Sequence, residues 1–287
     1  MNPQKYLVCP KCKKSVDDSL KCPVCEYQYS KARDVFDMVN WQLSNDCQPN
    51  WNYSDEKIEE AGKPKVEPEK SNSNTETDWR ADYQNRKNAE TKAAQKALTE
   101  KMHELIGTLT GVVCDLATGL GGNLRELVTF GSKDLEIIAT DLDKTVLAYT
   151  KNWLKPDNRV SFVATDGRYL SIADNTFDYI TSLAAFGNIP DSEKVAKELL
   201  RTLKPGGKLI IEGSFIDKDT RSFELAKSVG LDKGMVKEYL TDCLTEAGFT
   251  SVETNIVGKA IWAENPYDRI PAAGDMAYYV ILQAEKR

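Results

Sequence analysis

From Gly107 onward the chain alternates short apolar runs with amphipathic stretches, and this alternation limits its possible folds more than any other feature. The apolar runs fall at 112–116, 135–140, 160–165, 177–182 and 207–213, with the character of strands buried on both faces. Helical patterns lie between them near 121–130, 143–155 and 191–203. Such a strand–helix series predicts an α/β fold, a parallel sheet with helices on both faces. The tail departs from it. A helix near 234–247 is followed by strands near 250–263 and 276–285 with only the turn residues Asn265, Pro266, Pro271 and Gly274 between them. These last two strands should form an antiparallel hairpin that closes the sheet.

Three zones precede or open that series. Residues 1–43 are rich in cysteine and end in an apolar patch of Val35, Phe36, Met38, Val39 and Trp41. Residues 44–77 hold eight acids, four bases and prolines at 49, 64 and 68, which predicts an acidic linker. Residues 78–106 contain neither Pro nor Gly, and Ala94, Leu98, Met102, Leu105 and Ile106 form one helical stripe. The main domain is therefore expected to span 78–287. No apolar run approaches the roughly 20 residues of a bilayer span, and the polar start Met1–Val8 carries no signal-peptide core, so the expected location is the cytoplasm, with no membrane partner. The net charge is −6, and residues 1–33 carry seven bases against three acids. The remainder is then −10, which leaves the main domain without the basic footprint of a large nucleic-acid binder.

Four of the seven cysteines sit in two identical C-P-x-C pairs, Cys9/Cys12 and Cys22/Cys25. Four thiolates presented by two tight turns suit tetrahedral Zn²⁺ with no position left open, which makes the ion structural. Iron in the same cage and a redox dithiol are the alternatives. Such a zinc ribbon serves either as a packing module or as a substrate-recognition element.

The first strand of the series runs into Asp115-Leu-Ala-Thr-Gly119-Leu-Gly121-Gly122, which opens a helix. Glycines there let backbone N–H groups approach a bound polar group at a helix N-terminus. A dinucleotide fingerprint would need Gly or Ala at 124, where Leu124 stands. The pattern D-x-[AG]-x-G-x-G instead resembles motif I of class I S-adenosylmethionine (SAM) dependent methyltransferases of the type 11-like group, here with an N-terminal zinc ribbon. The resemblance covers 107–287 and implies a Rossmann-like sheet with SAM as cofactor. It implies a cofactor site at Asp115, Ala117, Gly119 and Gly121 in the turn. Asp141 would receive the ribose hydroxyls and Leu142 would lie against the adenine, while Asp166-Gly167 would meet the adenine amino group. Leu183, within Ser182-Leu183-Ala184, would lie near the methionine moiety, and Lys204-Pro-Gly-Gly207 matches the family's turn before the fifth strand. Ala117 replaces the commoner first glycine, which is tolerated if the backbone there need not take φ > 0. Each Asp could alone cap the following helix, but three at consecutive strand ends point to a ligand.

Methyl transfer from a sulfonium depends on alignment and needs no nucleophilic residue, so no catalytic residue is assigned. The single histidine, His103, reads as a surface or packing group, Asn188 as a helix start or a substrate-orienting group, and Asn265-Pro266-Tyr267 as a turn. Cys114 reads as a buried small hydrophobe, and Cys47 and Cys243 carry no assignment. Trp79, Tyr83 and Arg86 could form a lid. The expected activity is methyl transfer to a small molecule held between the ribbon, the 78–106 helix and segment 183–191. The alternatives are methylation of a base in rRNA or tRNA, with Lys11, Lys13, Lys14 and Lys21 on the RNA, and a non-catalytic recruiting module. The RNA reading follows from similarity to the ribosomal-RNA guanine methyltransferases with an N-terminal zinc module, from which this chain departs in offering four cysteines and no histidine ligand.

Overall fold

A computed structural model describes residues 3–49, 51–63, 79–154 and 157–287, with only the backbone of 79–81. The cysteine-bearing zone contributes two short strands, β1 (Ser30–Ala32) and β2 (Val35–Asp37). Three helices follow, α1 (Asp55–Ala61), α2 (Trp79–Arg86) and α3 (Ala89–Ile106). The alternating part runs β3 (Val112–Asp115), α4 (Gly122–Phe130), β4 (Glu136–Asp141), α5 (Lys144–Leu154), β5 (Val160–Ala164), β6 (Phe177–Leu183), α6 (Ser192–Thr202) and β7 (Leu203–Ile216). The tail adds α7 (Arg221–Ser228), α8 (Asp232–Met235), α9 (Lys237–Ala247), β8 (Thr250–Ile261) and β9 (Met276–Glu285).

Among the described residues, nine strands join one sheet in the order β1-β2-β5-β4-β3-β6-β7-β9-β8. The pairs from β2 to β7 are parallel, and β1, β9 and β8 are antiparallel to their neighbours. The expected Rossmann-like sheet with its antiparallel hairpin is therefore present. Successive residues of each inner strand serve opposite faces. Cys114, Ile138 and Val163 enter one core with α6 and α9, while Val113, Ile137 and Phe162 enter the other with α3, α4 and α5. The stripe expected over 78–106 is interrupted at Asn88, whose side-chain oxygen accepts the Thr91 N–H at 2.8 Å and restarts the helix as α3. Ala94, Leu98, Met102 and Ile106 of α3 are buried as that periodicity requires.

The N-terminal zones are knitted into the sheet. The apolar patch expected to finish the ribbon is β2, which extends the parallel sheet with Phe36 opposite Val163. The Val8 N–H donates to Ser171 at 3.0 Å and the Ala173 N–H to Tyr6 at 2.8 Å. Leu7, Cys9, Leu20, Cys22 and Tyr29 share one core with Leu170 and Ile172. The first part of the expected acidic linker is docked as well. Tyr53 stacks on Tyr149 of α5 at 4.6 Å, Ile58 of α1 is buried, and the Asn152 side chain donates to the Ile58 carbonyl at 2.9 Å. Its apolar anchors, Tyr53 and Ile58, are too few to show as a periodic pattern. The rest of that segment, 64–77, lies outside the described residues. Among the described residues no helix is long and apolar enough to cross a membrane.

Candidate functional site: two cavities that share a wall

The chain leaves β3 for β4 and β5 on one side and returns to β6 on the other, so the sheet has its topological switch between β3 and β6. Open α/β sheets bind ligands at such a point, beyond the carboxyl ends of the strands. A cavity of about 430 Å³ lies there. Its floor is the β3–α4 turn, in which Ala117, Gly119 and Gly121 all have positive φ, at 53°, 52° and 80°. A Cβ on Gly121 would stand 2.6 Å from the Thr150 methyl, so only glycine fits. Ala117 does adopt φ > 0, contrary to the condition on which its replacement of glycine looked harmless, and it holds a conformation disfavoured for L-residues.

Of the residues singled out in the sequence, Ala117, Gly119, Asp141, Leu142, Asp166, Gly167 and Leu183 line this cavity. Asp115 and Gly121 do not; they support the turn from beneath. The Asp115 carboxyl is 1% exposed and accepts from Thr118 Oγ1 at 2.8 Å and Asn123 Nδ2 at 2.7 Å, and burial pushes it up to about 6. Asp141 is oriented by backbone donors, the Gly119 N–H on Oδ2 at 2.9 Å and the Asp143 N–H on Oδ1 at 3.0 Å. Burial raises its carboxyl above the usual range.

Asp166 is clasped by Arg168, whose own side chain is 1% exposed. The guanidinium meets Asp166 Oδ2 at 2.9 Å, closes a bidentate pair with Asp46 at 2.7 and 2.8 Å, and lies 2.8 Å from Cys47 Sγ. It holds the Asp46 carboxyl down at about 2. Cys47, Gln48 and Trp51 complete the wall, and the backbone N–H groups of Trp51 and Asn52 donate to Asp143 at 3.2 and 2.7 Å. Sequence reasoning missed this whole side. The residues come from the supposed linker, and only Arg168, two residues after an expected ligand, carried a local signal.

A second cavity, of about 380 Å³, abuts the first and shares Leu183, Ala184, Ala185 and Asn188 with it. Its other lining residues include Tyr83, Leu98, Phe186, Phe215, Trp262 and Tyr279. Of the three segments expected around the acceptor, the α2–α3 region and residues 183–188 contribute to this lining, whereas the four N-terminal cysteines line neither cavity. Glu212 stands opposite Leu183 in the β6–β7 register, and its carbonyl accepts the Ala184 N–H at 2.6 Å. Its carboxyl is 7% exposed, has no hydrogen-bond partner among the described residues, and is pushed up to about 7 by burial and by the like charge of Glu126. Tyr83 donates its hydroxyl to Asp268 at 2.7 Å.

Other candidates fall outside both cavities or serve packing. His103 meets Glu126 at 2.5 Å and stacks on Phe130. Cys114 and Cys243 are buried, Arg86 pairs with Asp82 at 2.7 Å, and the side chain of Trp79 lies outside the described residues. Asn188 donates to the Ala184 carbonyl at 2.9 Å, which shapes the shared wall. Asn265 accepts the Tyr267 N–H at 3.1 Å, so that stretch is a turn.

The thiols of Cys9, Cys12, Cys22 and Cys25 converge, with all four Sγ atoms within 4.8 Å of one another. A tetrahedron with metal–sulfur bonds of about 2.3 Å has edges of about 3.8 Å, so the set fits an all-sulfur metal site with slight contraction. Lys13 and Glu26, each one residue past a pair, take positive φ, and their N–H groups close the turns onto Cys9 and Cys22 at 2.8 and 2.9 Å. The Tyr29 hydroxyl lies 3.2 Å from Cys9 Sγ, the kind of outer hydrogen bond that orients a ligand.

Residues 114–211, about a third of the chain, match a family model described as a methyltransferase domain. Phosphoethanolamine N-methyltransferase 2 of Caenorhabditis elegans is 31% identical over 147 residues, 49% of this chain and 32% of that protein. A demethylmenaquinone methyltransferase of Clavibacter sepedonicus is 34% identical over 99 residues, 34% of this chain and 39% of that one. The matches thus span well under half of either relative. Among solved structures, Haemonchus contortus phosphoethanolamine N-methyltransferase 2 in complex with S-adenosyl-L-methionine superposes with a TM-score of 0.52 at 20% identity, covering 66% of this chain and 52% of that one, a likeness of fold.

Proposed function

We propose that this chain transfers a methyl group from SAM to a small-molecule acceptor, with SAM in the first cavity, the acceptor in the second, and a structural zinc ion on Cys9, Cys12, Cys22 and Cys25. The observation that carries the reading is the shared wall. A transfer reaction needs two ligands whose reacting atoms meet, and here two cavities meet along Leu183–Ala185. When bound, the cofactor supplies an electrophilic methyl on a sulfonium. The chain's own residues position it. Asp141, held by two backbone donors, offers its remaining lone pairs to the ribose hydroxyls, and Leu142 offers an apolar surface to the base. Asp166 faces the adenine edge while Arg168 fixes its plane, and Leu183 borders the methionine end. The zinc site closes the core under β2 and β5 rather than touching either cavity, which favours a packing role. As domains we keep a zinc ribbon in 1–43, a connecting segment in 44–77 and the methyltransferase domain in 78–287, with a cytoplasmic location in keeping with thiols kept for metal.

Small-molecule acceptors are what the names of the similar proteins carry. The RNA alternative loses one of its four lysines, because Lys13 spends its charge on Glu198 at 2.7 Å. Titration calorimetry should give saturable SAM binding in wild type, and Asp141→Ala should weaken it at least about tenfold, since one hydrogen bond to a carboxylate contributes about 1.5–3 kcal/mol. Unchanged affinity would remove Asp141 from the site. Elemental analysis of chelator-free protein should find about one zinc per chain; metal-free, folded protein would remove the zinc. Tritiated-methyl transfer to fractionated cell extract should label the small-molecule fraction, and label confined to RNA would overturn that preference.

A further inference from the structure

The second cavity is aromatic and aliphatic, and among the described residues the only charged side chains on its wall are two carboxylates, Glu212 and Asp268. Lys87 lies close by but is turned onto the Tyr83 ring, at 4.3 Å, and onto Gln95, at 2.8 Å, and it is not a lining residue. An anionic acceptor would meet carboxylates there without a compensating cation. A cation would find a carboxylate among Tyr, Trp and Phe side chains, which is the kind of environment that holds ammonium groups. Asp268 is already engaged by the Tyr83 hydroxyl, whereas Glu212 is buried without a partner. A carboxylate in such surroundings is stabilised by a cationic ligand. Glu212 also sits directly across from Leu183, where the two cavities meet.

Resting on the methyltransferase reading, we infer that the acceptor is an apolar primary or secondary amine, bound as its ammonium, and that Glu212 both pairs with it and takes the proton it must lose. The balance is simple. One N–H bond breaks and its proton passes to the Glu212 carboxylate. The freed lone pair forms the N–CH₃ bond while the methyl–sulfur bond breaks, and its electron pair stays on sulfur, leaving a neutral thioether. The methylated product leaves as an ammonium, and Glu212 returns its proton to water. A carboxyl pushed up to about 7 suits a proton acceptor working near neutrality. The other titratable groups facing this region are Glu126 on α4, paired with His103 of α3, together with Tyr83 and Asp268 across the cavity and Tyr279 on β9.

Phenethylamine, 2-phenylethanol and 3-phenylpropionate share one body and differ in head group, and serve as probes. Calorimetry on wild-type protein saturated with S-adenosylhomocysteine should show phenethylamine binding at least tenfold tighter than the alcohol, with the propionate weakest. The amine's advantage should grow between pH 6 and pH 8 as Glu212 ionises, and Glu212→Gln should abolish both the advantage and its pH dependence. Transfer of tritiated methyl to phenethylamine should fall at least a hundredfold in that variant. Gly213 lines the same cavity and a Cβ there meets nothing within 4 Å, so Gly213→Leu should block all three probes by filling space without disturbing the sheet. SAM binding within threefold of wild type shows that either variant is folded. Preference for the alcohol or the propionate, an amine advantage that survives in Glu212→Gln, or no probe binding at all while SAM binds, each overturns the inference and leaves the methyltransferase reading standing. Absence of SAM binding in wild type overturns both.

Discussion

The two cavities are similar in size and share a wall, yet they are built from different materials. The first is made largely by backbone: a turn with three consecutive alternate residues at positive φ, and carboxylates aimed by main-chain N–H groups. The second takes most of its lining from larger side chains of α2, α3, β7, β9 and the loops around α8, with backbone at Gly187, Gly213 and Gly234. A backbone-built site holds a ligand common to many sequences, because its geometry depends on few residue identities. A site built of side chains can be changed one residue at a time, and that is where acceptor specificity belongs.

Arg168 is the point at which the first cavity does depend on a side chain, so it offers the largest test of the contrast. Arg168→Met would leave the buried Asp166 carboxylate facing an apolar chain and release Asp46, which brings the 46–48 wall to the cofactor cleft. Breaking a buried ion pair by removing one partner costs about 3–5 kcal/mol. We expect that loss in urea unfolding, together with loss of SAM binding. A variant with normal affinity would show that the cleft needs only its backbone turn.

This division also explains what the sequence disclosed. The β3–α4 turn, Asp141 and Asp166 were legible because glycine spacing and strand-end acids encode backbone geometry locally. The strands from 112 to 285 and the helices α4, α5, α6 and α9 were legible for the same reason, since burial writes itself into consecutive residues, whereas the short α7 and α8 were not. Glu212, Trp262 and Tyr279 were not, because each looks like an ordinary residue of a strand and only the fold brings them together. The docking of 51–63 was also hidden. Its Tyr53 and Ile58 sit among acids and asparagines, and the partner that makes them anchors, α5, lies some ninety residues on. Likewise Val35–Asp37 looked like the end of a ribbon because a three-residue strand is too short to show a period.

The two cavities should also separate in pH. Asp115 beneath the first is raised to about 6 and Glu212 on the second to about 7, both chiefly by burial. Each folded carboxyl therefore keeps its proton at pH values where the unfolded chain, with carboxyls near about 4, has released it. The folded state binds more protons in that window, so the stability of ligand-free protein should fall as pH rises from about 4 to about 7, by on the order of 3 kcal/mol for each group. Glu212→Gln should flatten the decline up to pH 7, and Asp115→Asn the part that ends near pH 6. An amine probe should flatten the Glu212 part alone, since it pairs with that carboxylate and touches nothing of Asp115. Identical curves for wild type and Glu212→Gln would mean that Glu212 is hydrated in solution.

The smallest expected effect bears on the backbone itself. Ala117 holds φ at 53° within a turn whose other two left-handed positions are glycine. An L-residue in that region costs about 1–2 kcal/mol, whereas glycine there costs only the extra freedom of its unfolded chain, about 0.4–1 kcal/mol. Ala117→Gly should therefore stabilise the protein by roughly 0.5–1 kcal/mol, read as a shift in the urea midpoint with an unchanged slope. SAM affinity should stay within threefold, because the turn keeps its path and no cavity-lining polar group is lost. The companion change Gly213→Ala, in a strand at ordinary φ with open space at its Cβ, should leave SAM affinity equally untouched while weakening the amine probe. If Ala117→Gly instead loosens SAM binding tenfold, the alanine methyl itself contacts the cofactor, and the first cavity is less a backbone site than its turn implies.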